Sequence, residues 1–224
     1  ISGLVAGTDA MINQTPDPTN RDPFDDLSQV WWKTFTLEED ADRLVMEILD
    51  TTAGDLDMYF GIGEEPDPDM LVAQSATATS LEYISITGIP AGLPLWVMIQ
   101  NWEGAPEGDS IKYTEAVIYP EEAGNMTVTG PESADTLEPY DVTVAWNVPD
   151  MPVPSAWYGL FSILANPDAT DAVSTTEVNL YRNGDDVVKT VNADAARKGD
   201  VVTYEIEIQP NFSNVDLKYS IEDV

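Results

Sequence analysis

From Val30 onward, apolar and polar residues alternate in short runs separated by turn residues, the period-two pattern of strands with one buried face. In Arg43-Leu-Val-Met-Glu-Ile-Leu49 the side chains of Leu44, Met46 and Ile48 share a face. In Leu56-Asp-Met-Tyr-Phe60 those of Leu56, Met58 and Phe60 do the same. Runs at Val30 to Thr36, Leu71 to Ser75, Leu81 to Thr87, Leu95 to Asn101 and Ile111 to Tyr119 complete a first series. A second series comprises Met126 to Thr129, Val142 to Trp146, Trp157 to Leu164, Thr175 to Arg182, Asp186 to Val191, Val201 to Ile208 and Leu217 to Asp223. Helical spacing is nearly absent, so the expected class is all-β with negligible helix.

Each series holds about seven strands in about 100 residues, which implies two consecutive antiparallel β-sandwich modules. The first is read as jelly-roll-like, over residues 25–120, and the second as immunoglobulin- or fibronectin-III-like, over 121–224. Glu121-Glu-Ala-Gly-Asn125 forms the expected hinge. Residues 1–24 read as a linker, because Pro16, Pro18 and Pro23 punctuate a polar stretch without a periodic apolar face. Asn183-Gly184 is a type I′ hairpin signal that favours strands continuing within one sheet, with a new unit starting near 184 as the competing reading. The chain begins at Ile1 and stops directly after a predicted strand, so a longer parent polypeptide is expected.

Charge narrows the range of partners. Against 41 Asp and Glu stand nine Lys and Arg, a formal net charge of -32, and neither half has a cationic stripe. Nucleic acid and anionic membranes are therefore poor partners, and no apolar run is long enough for membrane insertion by a helix. An apolar content of 43% argues against disorder. Cys and His are absent. Disulfides, thiolate chemistry, zinc held by Cys or His, and every Ser-His-Asp or Cys-His triad within the chain are thereby excluded. The matches to N-x-S/T at Asn13, Asn125 and Asn211 carry no assigned role.

Four segments carry a family resemblance: Val30-Trp-Trp-Lys-Thr-Phe35, Leu44-Val-Met-Glu-Ile-Leu49, Gly54-Asp-Leu-Asp-Met-Tyr-Phe60 and Leu95-Trp-Val-Met-Ile-Gln-Asn101. With them the first module resembles the bacterial pre-peptidase C-terminal domain, an extracellular β-sandwich appended to secreted proteases. The end, with Gly199-Asp-Val-Val-Thr-Tyr-Glu-Ile-Glu-Ile208, looks like the start of a repeat found in large bacterial surface proteins. The whole order resembles the C-terminal extension of subtilisin-like serine proteases of marine bacteria. That resemblance implies a secreted or cell-surface location and an upstream protease domain in the same polypeptide as partner. It also implies a non-catalytic accessory role in export, folding, surface retention or substrate presentation.

Two sets of residues could carry chemistry of their own. Asp55 and Asp57, two apart on a strand, and Asp67 and Asp69, in a Pro-containing loop, present oxygens of the kind that bind Ca²⁺. The alternative for both pairs is turn capping and solvation. Trp31, Trp32 and Trp102 are candidate ligand platforms, since exposed aromatic faces stack on sugars. Trp31 and Trp32, being adjacent on a strand, must point to opposite faces. They support the competing function class, a carbohydrate-binding module of an extracellular enzyme or adhesin, with core packing as the alternative.

Overall fold

The computed structural model describes residues 1–19, 22–121, 123–131, 133, 138–149, 151–152, 154–166, 168–169, 172–182, 187–192 and 195–208. Among them the chain is all-β, with fifteen strands in antiparallel sheets and one short 3-10 turn at Pro68–Met70. In order these are β1 (Leu4–Ala6), β2 (Thr8–Gln14), β3 (Trp31–Thr36), β4 (Ala41–Thr51), β5 (Asp55–Ile62), β6 (Leu71–Ser75), β7 (Tyr83–Ile89), β8 (Pro94–Glu103) and β9 (Asp109–Ile118). They continue with β10 (Met126–Thr129), β11 (Thr143–Trp146), β12 (Ser155–Leu164), β13 (Ala172–Arg182), β14 (Val187–Val191) and β15 (Tyr204–Ile208).

Two four-stranded sheets face each other, one ordered β2-β9-β4-β7 and the other β3-β8-β5-β6. Alternation drives their closure. Leu44, Met46 and Ile48 from β4, with Ile111 and Tyr113 from β9, meet Leu56, Met58 and Phe60 from β5 and Leu95, Val97 and Ile99 from β8 in one buried cluster. Full burial of such side chains contributes about 1.5–3 kcal/mol each, so this core is the main favourable term for residues 25–120. Lys33 of β3 reaches across to β9 of the facing sheet, its Nζ lying 2.5 Å from Glu115 and 5.5 Å from the Tyr113 ring centroid.

The outer faces of both sheets are also covered. Val45, Ala116 and Ile118 on the back of the first sheet pack against Ala156 and Tyr158 of β12. Sheet β1-β12-β13 is thus a third layer, and the hairpin β10-β11 packs beyond it through Met126, Leu4 and Phe161. On the other side, Phe24 and Leu27 cover Tyr59, Trp96 and Met98 on the back of the second sheet. Phe24 meets Tyr59 and Trp96 edge-on, with ring centroids 5.8 and 6.0 Å away.

The linker expected over 1–24 is corrected. Leu4–Ala6 pairs with β12, in the register Leu4 opposite Gly159, and Thr8–Gln14 pairs with β9, Ile12 opposite Ile111. One N-terminal segment therefore adds an edge strand to two successive layers, changing sheets at Gly7. That change requires glycine: a Cβ at Gly7 would meet Thr114 Oγ1 at 2.3 Å and the Tyr158 ring at 3.2 Å. A Cβ at Gly159 would likewise strike the Gly3 carbonyl oxygen at 2.4 Å. Asn125, in the expected hinge, clamps β1 from its outer side by accepting from Leu4 N and donating to Leu4 O, both at 2.8 Å.

Among the described residues β13 pairs with β12 and β14 pairs with β15, in separate sheets. Asn183-Gly184 and the strand expected at Leu217 to Asp223 lie outside the described residues.

The layers are joined by a buried cation. Arg43, on β4, is 0% exposed and points away from the sandwich core into the space beneath β12 and β13. Its Nε donates to Ser85 Oγ at 2.9 Å, and its Nη1 donates to the Gly159 and Val178 carbonyls at 2.8 and 3.3 Å. Its Nη2 lies 2.5 Å from Tyr83 Oη and 2.8 Å from both Glu177 Oε2 and Asn179 Oδ1. The rigid donor fork of arginine suits this set of acceptors, which a lysine ammonium cannot match. Truncating it leaves the Gly159 and Val178 carbonyls short of a donor and opens a void beneath β12 and β13, while Glu177, at the exposed side of the joint, can turn to water. Arg43→Ala is expected to lower the unfolding free energy by about 2–4 kcal/mol, mostly through the two carbonyls left without a donor, checked by urea titration against the parent chain, with Arg43→Lys recovering only part of the loss.

Candidate functional site

The back of the second sheet carries an unusual group of acceptors. Because Leu56, Met58 and Phe60 face the core, Asp57 and Tyr59 face the opposite way, and Asp57 pairs in register with Gln100 of β8. Asp57 is 7% exposed and Gln100 0%. The polar segment after β2 folds over them: Gln100 Nε2 donates to Asp17 Oδ2 at 2.6 Å, and Asp17 N donates to Asn101 O at 2.8 Å. Asp57 receives one donor, the Tyr59 hydroxyl at 3.3 Å. Asp55 Oδ1 and Gln100 Oε1 are buried acceptors with no donor among the described residues.

The electrostatics follow from that shortage of donors. Burial, then the Asp55 charge, push the Asp57 carboxyl up to about 6, with the Tyr59 hydroxyl opposing and Glu82 adding to the rise. Burial and the charges of Glu82 and Glu103 raise Asp55 as well. Tyr59 is raised by burial and by Asp57, so it stays a protonated donor. Asp109 is the contrast. Although burial works against its charge, donors from Asn101 at 3.0 Å, Thr52 at 2.9 Å and Ala105 N at 2.9 Å hold its carboxyl below the usual range.

The two candidate calcium pairs lie in different surroundings. Asp67 caps the short turn Pro68–Met70, its Oδ1 accepting from Asp69 N at 2.9 Å, and both residues are exposed. Their geometry is that of turn capping. Asp55 and Asp57 keep unmet acceptor capacity on oxygens, the donor type a hard cation takes, and Gln100 adds a third oxygen beside them. No group of three or more acidic side chains is placed to hold a metal among the described residues, so carbonyl and amide oxygens would have to complete any shell.

Trp31 and Trp32 do face opposite ways. Trp31 packs on the sandwich core, tilted against Tyr113 with ring centroids 5.4 Å apart, and Trp32 packs on the outer cluster around Tyr59 and Trp96. Both are half-buried, as is Trp102 near the end of β8.

Sequence reasoning passed over a second polar group, between the first and third layers. Glu47 of β4 accepts from the Tyr158 hydroxyl at 2.6 Å and from the Tyr181 hydroxyl at 3.0 Å. Burial and the Glu47 carboxylate push both tyrosines well above their ordinary range, which keeps them donors. The signal was present in period two: Arg43, Val45, Glu47 and Leu49 form one face of β4, mixing charge with apolar bulk in the way of a face covered by another layer.

A scan against protein-family models finds no match for this chain, and a search of curated proteins finds none either.

The pH dependence of the Asp57 site has a definite sign. Its folded-state value lies above the ordinary carboxyl value of 3.8, so the folded state holds the proton more tightly and is relatively favoured in acid. That advantage disappears as pH rises from about 4 through about 6. In metal-free buffer at neutral pH, Asp57→Asn is expected to stabilise the chain by about 1–2 kcal/mol after allowance for screening, and to flatten the stability profile across that window. Urea midpoints collected between pH 4 and 8 would check both the sign and the window.

Proposed function

We propose that this chain is a non-catalytic accessory region of a secreted bacterial subtilisin-like protease, where it acts in export, folding, surface retention or substrate presentation. The observation that carries this reading is the stacked β architecture, in which the buried ionisable groups lock layers to one another. Arg43, Glu47 and Asp109 all serve joints between strands or sheets. A rigid, strongly anionic body suits a role as a spacer or handle outside the cell, where salt screens its self-repulsion within about 8–10 Å. The resemblance over residues 25–120 supplies the protease as the partner, and the absence of His and Cys supports a region that does no proteolysis itself.

Calcium belongs to the same reading. Ca²⁺ would be held near Asp55, Asp57 and the Gln100 amide oxygen, where it would supply the positive charge that these oxygens lack. Bound only by the folded state, it would stabilise the region in a medium rich in the ion.

Two measurements test the proposal. Purified chain is expected to leave casein and fluorogenic peptides intact, and turnover that persists through repurification in the presence of a serine-protease inhibitor would overturn the non-catalytic reading. Millimolar Ca²⁺ is expected to raise the melting temperature above that in NaCl of matched ionic strength, with Asp55→Asn plus Asp57→Asn removing the difference. An equal response to both salts would show that these carboxylates bind no ion.

A further inference from the structure

A cleft of about 480 Å³ opens where the first layer and the third diverge, between β4 and β7 on one side and the start of β12 with the end of β13 on the other. Its volume falls in the range of small-ligand sites, about 300–1,000 Å³. Glu47 stands on its wall, with its oxygens fixed by the Tyr158 and Tyr181 hydroxyls. No cation lies within ion-pairing distance of Glu47 among the described residues, whereas Glu177, in the same interlayer space, has Arg43 at 2.8 Å.

The other charged groups around the cleft are already matched or reinforce its sign. Lys112 is held by Asp9 at 3.0 Å. Glu82 directs its carboxylate to Ser75 and Thr77. Asp50 stands exposed at the rim and adds negative charge.

The remaining walls are apolar and aromatic: Leu49, Leu81, Tyr83, Pro154 and Tyr181. Two of them stay wet, Leu81 at 58% and Tyr181 at 45% exposure. A pre-positioned carboxylate beside aliphatic and tyrosine walls complements a long methylene stem ending in a cation, since the stem covers apolar surface and the head meets carboxylate and ring faces. A bare hard cation suits the site poorly, because it takes six to eight oxygens and the walls offer carbon.

We propose that this cleft is a receptor for a lysine or arginine side chain presented by an extended peptide, a binding site for basic segments of a protein partner. The proposal is independent of whether a protease domain lies upstream. The field of the whole chain, -32, steers cationic peptides toward it and repels acidic ones.

Calorimetric titration of the full chain with acetyl-Ala-Lys-Ala-amide, its arginine counterpart and its norleucine counterpart tests the site. The basic peptides are expected to bind at one site per chain and the norleucine peptide to show no saturable binding. Glu47→Gln, which keeps an acceptor for both tyrosines but removes the charge, is expected to weaken the basic peptides by about tenfold or more. Ser155→Trp, which fills the cleft from its wall, is expected to remove binding while thermal melting confirms a folded chain. Glu64→Gln, on the β5–β6 loop, removes the same unit of charge elsewhere and is expected to leave affinity unchanged. Equal weakening by Glu47→Gln and Glu64→Gln would overturn the proposal in favour of diffuse attraction, and equal affinity for the norleucine peptide would overturn it in favour of an apolar cleft. Retention on cellulose or chitin that is lost in Ser155→Trp, without peptide binding, would overturn it in favour of a carbohydrate site.

Discussion

A guanidinium with no exposed surface is costly to bury, and in this chain basic residues are scarce, nine against 41 acids. Arg43 occupies the position where the back of the first sandwich sheet meets the third layer, and the surrounding strands are arranged to satisfy it. Acceptors reach it from β7, from the Gly159 carbonyl of β12, and from Glu177, Val178 and Asn179 of β13. A register slip in β12 or β13 by one residue would replace those acceptors with the opposite face of the strand. The cation thus fixes how the second half of the chain docks on the first. Gly7 and Gly159 allow the close approach, and the divided N-terminal segment extends both layers at once.

The same scarcity of cations shapes the rest of the polar interior. Three ion pairs occur among the described residues. Elsewhere, carboxylates at the joints are held by neutral donors: hydroxyls at half-buried Glu47, and amide, hydroxyl and backbone N–H groups at buried Asp109. Where donors fall short, burial and neighbouring charge raise the carboxyl, as at Asp57 and Asp55. These two situations mark the functional candidates. At Asp57 the shortage of donors lies inside the protein, whereas at Glu47 a carboxylate oriented by two tyrosine hydroxyls borders a cleft.

Strand periodicity made most of the fold legible. Leu71–Ser75 and Met126–Thr129 form over the residues that alternation indicates, and the strands from β3 to β13 differ from their predicted bounds by a few residues. β1 and β2 were missed because they bury so little: Leu4 alone is fully buried in the first, and Ile12 and Gln14 in the second. Such edge strands are held by backbone pairing and by Asn125 rather than by an apolar stripe, so alternation is silent about them. Asp55 and Asp57 were legible as a pair on one strand face. Their burial depends on Gln100 and on the covering segment around Asp17, which local pattern cannot place. The Glu47 cleft was hidden for the same reason, since its walls come from residues more than a hundred positions apart in the chain. In retrospect, Val45 and Leu49 opposite Leu44, Met46 and Ile48 announce a strand buried on both sides.

Native-state hydrogen exchange tests most directly whether the buried Arg43 joins the layers into one cooperative body. Amides of β4 and β9 in the first layer and of β12 in the third should open with the same free energy and the same dependence on urea. If β12 amides exchange through an opening of much lower free energy while β4 and β9 remain protected to the global limit, the layers are separate units and Arg43 does not join them.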